Sequence, residues 1–161
     1  MMEWEKATDV ILIASIAIFS IFAWLGLYQW IRRKSFLKID KNLLWALLPF
    51  ILMAITYFLF DKVFVLNVRP NGSGEASFPS THTMVVATIF FIVALNLKKY
   101  INNIYIRIFL YIVMAALIAL VSVGRVLANM HWVSDVLGGL GFAVIFAGIY
   151  YFVTKQRIKN E

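Results

Sequence analysis

The stretch IYIRIFLYIVMAALIALVSV, Ile104 to Val123, carries a single charge, Arg107, in twenty residues. A helix needs roughly 20 apolar residues to cross a bilayer. Arg107 lies close enough to one end to reach the interface with its charged head. Working outward, Val133–Val153 follows after a short polar break, and Thr83–Leu97, Leu43–Phe60 and Val10–Trp30 precede it. Thr83–Leu97 is short by itself. Ser80 and Thr81 favour a helix start and lengthen it to about 18 residues. Pro49, inside the second stretch, predicts a kink. Gly139, Ala143 and Ala147 recur every four residues, a spacing that lets helices approach closely in lipid.

Composition agrees. The chain has 161 residues, 63% hydrophobic and 14% charged, whereas a soluble domain has about half and about a quarter. The reading is an all-α, polytopic transmembrane bundle of five spans, a single domain over residues 1–161. Without cysteine there is no disulfide, thiolate metal site or cysteine nucleophile. With His82 and His131 as the only histidines, a histidine-rich metal cage is excluded. The start of the chain, with Glu3, Glu5, Lys6 and Asp9, is acidic rather than basic. It reads as a retained first span, not a signal peptide.

Net charge is +7, and its placement argues for a membrane rather than nucleic acid. Arg32, Arg33, Lys34, Lys38 and Lys41 follow the first span. Lys98, Lys99 and Arg107 follow the third, and Lys155, Arg157 and Lys159 the fifth. With five spans these eleven of fifteen basic residues share one side, which places that side and the C-terminus in the cytoplasm. The other side faces the periplasm or exterior. It holds only Lys6, Lys62, Arg69 and Arg125, together with both histidines and Asp61, Glu75 and Asp135. Basic residues are scarce on such a face, and a bound anion is the simplest reason for Lys62, Arg69 and Arg125. The Gly- and Ser-rich segment from about Asn67 to Pro79 is a candidate lid. Glu75 within it reads as a solvated loop charge. Trp132 reads as part of an interfacial aromatic belt.

Three outward segments carry chemistry: Lys62 to Pro70, Pro79-Ser80-Thr81-His82, and Arg125 to Asp135. Arg69 and Arg125 offer planar forks that suit phosphate oxygens, and Lys62 a point charge. Ser80 and Thr81 open a helix whose free N–H groups and dipole favour an anion. His131 and Asp135 are four apart. On one helix face Asp135 would bind one ring nitrogen and leave the other free to attack. His82 is left as proton donor to the leaving oxygen.

These segments resemble the type 2 phosphatidic acid phosphatase superfamily, which also contains the vanadium haloperoxidases and bacterial acid phosphatases. The family pattern is Lys, six residues, Arg-Pro; Pro-Ser-Gly-His; and Ser-Arg, five residues, His, three residues, Asp. Lys62, Arg69, Pro70, Pro79, Ser80, His82, Arg125, His131 and Asp135 match it, within Lys62–Gly141. The resemblance implies that His131 becomes a phosphohistidine, oriented by Asp135. It implies that His82 protonates the leaving group, and that Lys62, Arg69, Ser80, Thr81 and Arg125 hold the phosphoryl oxygens. No metal or other cofactor is implied. Thr81 replaces the family's Gly, so a turn needing positive φ would have to differ. Gly124 replaces the Ser before Arg125, which removes one hydroxyl, and Ser122 is two residues away. Integral members commonly have six spans, and five are read here.

The expected function is hydrolysis of a membrane lipid phosphate monoester or pyrophosphate. Candidate substrates are undecaprenyl pyrophosphate, phosphatidylglycerol phosphate, phosphatidic acid and the 1-phosphate of lipid A. Short outer loops leave room for a bulky headgroup such as that of lipid A. The partners are that lipid and the bilayer, with no nucleic acid and no obligate protein. Two alternatives use the same residues: a phosphotransferase that passes the phosphoryl group to another lipid or sugar, and a non-catalytic lipid-phosphate binder or translocator.

Overall fold

The computed structural model describes residues 2–35 and 41–158. Lys38 and Lys159, counted above with the cytoplasmic charges, lie outside the described residues. The chain is all-helical: α1 Met2–Arg33, α2 Lys41–Trp45, α3 Leu47–Phe58, α4 Thr81–Tyr100, α5 Ile104–Leu127 and α6 Val133–Ile158. Among the described residues, five helical segments are long and apolar enough to span a membrane: Glu3–Arg32, Asn42–Val63, Thr81–Tyr100, Ile104–Leu127 and Val133–Lys155. They coincide with the five apolar runs.

The second span is broken where proline chemistry requires. Pro49 has no N–H to give and its ring crowds the carbonyl four residues back, at Trp45. The helix accordingly ends at Trp45 and restarts at Leu47. The same span ends in a π-helical turn, Leu59–Val63, where Phe64 N–H donates to the Leu59 carbonyl at 2.7 Å. The sequence reading did not anticipate this turn. π-Turns inside helices recur at functional sites, and this one carries Asp61 and Lys62.

α4 is the central element. Val86, Ala87, Thr88, Ile89, Phe90 and Ile92 are all buried, between α1, α5 and α6. The small residues of α6 make its approach to α4 possible. A Cβ on Gly139 would sit 2.8 Å from the Ser80 carbonyl oxygen, and Ala143 and Ala147 are buried. At the other end of this interface Asn96 donates to the Tyr150 hydroxyl at 2.8 Å. A buried polar pair of this kind fixes register where the surrounding apolar contacts are permissive.

The 67–79 segment folds back on itself instead of standing free. Arg69 N–H donates to the Glu75 carbonyl at 3.0 Å and Ser77 N–H to the Asn67 carbonyl at 2.9 Å. Trp132 donates its indole N–H to the Val68 carbonyl at 2.9 Å, so this side chain anchors the loop in addition to any interfacial role. Glu75 is exposed as expected, but it pairs with Arg69 at 2.7 Å.

Candidate active site

Several of the candidate residues meet at one end of the bundle, in a cavity of about 300 Å³ whose lining includes Arg69, Ser77, Thr81, His82, Arg125 and His131. Each reaches it through a local device. α5 ends after Arg125 in a Schellman-type cap: Met130 N–H donates to the Arg125 carbonyl at 3.2 Å and Asn129 N–H to the Val126 carbonyl at 2.9 Å. Asn129 takes the left-handed conformation, φ 58°, which asparagine tolerates better than most residues. The chain therefore reverses directly after Arg125 and brings His131 back beside it. The five-residue spacing between the two is the length of that cap.

The start of α6 is held by Asp135. Its Oδ2 accepts the Trp132 N–H at 2.9 Å, a capping contact that suits a carboxylate in a helix first turn. Its Oδ1 accepts from Asn67 Nδ2 at 2.9 Å. Its backbone carbonyl accepts the Ser80 N–H at 2.9 Å. One fully buried residue thus ties the loop and the beginnings of α4 and α6 together.

The expected direct bond from Asp135 to His131 is replaced by another. His131 lies before α6, and its Nδ1 is 3.9 Å from Asp135 Oδ2, beyond hydrogen-bond reach. Nδ1–H donates instead to the Ser77 carbonyl at 2.8 Å. A carbonyl can only accept, so Nδ1 carries the proton and Nε2 is the bare nitrogen. Burial pushes the His131 imidazole down to about 4, with the Arg125 charge adding to the effect and the Ser77 and Asp135 contacts opposing it. At neutral pH the ring is therefore uncharged, with a free nitrogen lone pair.

His82 Nε2 contacts Asp9 Oδ1 at 2.8 Å, and the same oxygen is 3.6 Å from Arg125 Nη1. Arg125 Nη1 also reaches the Thr8 hydroxyl at 3.5 Å. Among the described residues, the buried Nε atoms of Arg69 and Arg125 and the Ser77 hydroxyl have no hydrogen-bond partner. Buried polar atoms are normally paired. Unpaired guanidinium donors on two residues lining one cavity mark a place built for an anion.

Not every expected phosphate ligand lines this cavity. Ser80 is fully buried, and its hydroxyl pairs with Thr83 at 3.1 Å. Lys62 is exposed, pairs with Asp61 at 2.7 Å and lines an adjoining pocket with Arg69 and Glu75. Thr81 opens α4 without positive φ, so the missing glycine is accommodated by an ordinary helix start. At Gly124 a Cβ would meet the Thr8 methyl at 2.7 Å; α1 takes the space a serine would need. Ser122 lines a separate apolar groove.

Sequence reasoning missed Asp9, Thr8, Asn67 and Ser77. Asp9 carried a usable signal, as a carboxylate set inside an apolar helix. The role of Ser77 is a backbone carbonyl, which side-chain chemistry does not reveal. Among the described residues no group of three or more His, Cys, Asp or Glu is placed to hold a metal ion.

The sequence pattern of the PAP2 superfamily matches residues 44–159. Phosphatidylglycerophosphatase B of Bacillus subtilis (strain 168) is 30% identical over 108 residues, covering 62% of this chain and 51% of that protein. The chain thus spans about half the length of this curated relative. A crystal structure of a transmembrane PAP2-type phosphatidylglycerolphosphate phosphatase from Bacillus subtilis matches with a TM-score of 0.71 at 21% identity, covering 94% of this chain and 76% of that one. At that identity the likeness speaks for the fold. The family match takes in all three motif segments, and the chain belongs to the PAP2 superfamily.

Proposed function

We propose that this protein is a metal-independent membrane lipid phosphatase working through a phosphohistidine. The observation that carries this reading is the buried His131, its Nδ1–H tied to Ser77, in a cavity shared with two arginines whose Nε donors are unpaired among the described residues. His131 Nε2 attacks phosphorus, forming a P–N bond as the bond to the leaving oxygen breaks. His82 gives that oxygen a proton. Water then attacks phosphorus, His82 takes the water's proton, and the P–N bond breaks to release phosphate. Arg69, Arg125 and the N-terminus of α4 at Thr81 spread the charge of the transition state. Asp135 acts by fixing the loop and α6, with Ser80 bonded to its backbone. Lys62 meets the outer part of the phosphate or headgroup from the adjoining pocket.

The cavity faces the periplasm or exterior of a cytoplasmic membrane, with the C-terminus inside. The opposite end of the bundle, with Arg32, Lys34, Lys98 and Lys99, supports this by the positive-inside rule. A site at the end of the spans lets a lipid keep its tails in the bilayer. One domain, without a protein partner or cofactor, suffices for the chemistry described. Among the four candidate lipids, phosphatidylglycerol phosphate is the first choice because the Bacillus relative's name points to it.

The test is inorganic phosphate release in detergent micelles with EDTA, from all four lipids, beside His131→Asn. Release from one lipid that the variant abolishes is expected. No release from any of them by folded protein would overturn the hydrolase reading, and transfer to an added acceptor would replace it with a transferase.

A further inference from the structure

The first span, whose sequence holds none of the three motif segments, sends a carboxylate into the site. Asp9 lies two turns into α1. A charged group inside a membrane-crossing helix is costly and needs a partner. Its partner is His82, Nε2 to Oδ1 at 2.8 Å, with Arg125 Nη1 3.6 Å from the same oxygen. The neighbouring Thr8 fixes the height and rotation of α1 here. Thr8 is fully buried, its hydroxyl meets Arg125, and its methyl fills the space over Gly124. Asp9 is thus set against His82 by packing on both sides of the residue before it.

We propose that Asp9 is a positioning residue for the proton donor of this site: its carboxylate holds the Nε2–H of His82 and leaves Nδ1 to serve the leaving oxygen. This rests on the phosphatase reading above. A histidine clamped through one nitrogen by a carboxylate has a fixed ring orientation and a stabilised imidazolium. The proton that Nδ1 gives to the leaving oxygen returns from the attacking water, and Asp9 itself neither gains nor loses one. The charges facing His82 are Asp9 from α1, Arg125 from α5 and Arg69 from the loop. Burial and the two cations oppose an imidazolium, and Asp9 is the group that offsets them in part.

The experiment uses the full chain in micelles, with Asp9→Asn and Asp9→Glu. Two substrates are compared: phosphatidylglycerol phosphate, whose alkoxide leaves poorly without a proton, and 4-nitrophenyl phosphate, whose phenolate leaves well. Asp9→Asn is expected to lose about tenfold or more on the lipid, part of the roughly 10²–10⁴ that a general acid supplies. It should lose much less on the aryl ester, and Asp9→Glu should recover part of the lipid rate. In the same proteins without substrate, the NMR titration of His82 should differ between wild type and Asp9→Asn, because the carboxylate that holds Nε2–H is lost. Equal losses on both substrates, or an unmoved His82 titration, would overturn the proposal. The titration reads Asp9 without relying on turnover. A wild type inactive on every substrate therefore counts against the phosphatase reading, and an unmoved titration against Asp9.

Discussion

His131 donates its Nδ1–H to the backbone carbonyl of Ser77 at 2.8 Å, while Asp135 Oδ2 stands 3.9 Å from the same nitrogen. The proposed nucleophile is oriented by a loop carbonyl, and the motif carboxylate behind it holds the loop. This division of labour has consequences that can be measured.

His131→Asn keeps a side chain of similar reach but removes the attacking nitrogen. Phosphate release should fall by at least about 10³-fold, with the melting temperature in detergent little changed. A residual rate within tenfold of wild type would exclude His131 as the nucleophile.

Asp135→Ala should damage the scaffold as well as the rate. It leaves the Trp132 N–H and the Asn67 amide without their acceptor, at about 0.5–1.5 kcal/mol for each hydrogen bond lost. Asn67→Ala should share part of that loss, so the double variant should be less destabilised than the sum of the singles. Strict additivity in thermal or denaturant unfolding would show that the two side chains are not coupled.

The pH dependence of His131 has a definite sign. Burial lowers the folded ring to about 4, from an ordinary 6.5. The unfolded ring therefore binds a proton first as pH falls. Its contribution to stability is complete above about 6.5 and is lost on descending towards 4. The proposed nucleophile stays uncharged down to the same lower value. NMR titration of the substrate-free protein is simplified by the presence of only two histidines. A His131 midpoint near 6.5 would contradict the buried, uncharged ring.

Gly124→Ser restores the residue found before the arginine in the family pattern, yet it should destabilise this protein. The new Cβ would lie 2.7 Å from the Thr8 methyl, and overpacking of this kind costs about 1–3 kcal/mol. Adding Thr8→Ser, which removes that methyl, should recover most of the loss. Thermal unfolding of the two variants reads this directly, and a fully stable single variant would show that α1 can yield.

The cations that line the cavity should matter more than the exposed one. Arg125→Ala removes a buried guanidinium and should lower kcat/KM by about 10²-fold or more, in the range seen when one transition-state donor is lost. The loss should exceed that of Lys62→Ala, which removes the exposed cation paired with Asp61 in the adjoining pocket. Equal effects would place the phosphate away from Arg125.

The five spans were legible because lipid imposes a length and an apolarity that can be counted along the chain. The break near Pro49 and the close approach at Gly139, Ala143 and Ala147 followed from covalent geometry and side-chain size. The motif residues were legible because histidine, arginine and aspartate at membrane boundaries need a reason to be there. Thr81 and Gly124 stood out as departures, but their meaning did not. What reads as a missing hydroxyl beside Arg125 is a contact with Thr8, more than a hundred positions away in the chain.

By itself, then, the sequence determined an all-helical bundle of five spans and the candidate site residues that its three motif segments carry. Periodicity, composition and motif spacing are local properties. Only the tertiary structure decided which atoms meet: the Ser77 carbonyl on His131, Asn67 on Asp135, Lys62 in the adjoining pocket, and Asp9 of the first helix on His82. A hydrogen bond fixes partners within a fraction of an ångström, and that precision comes from how helices far apart in sequence pack together.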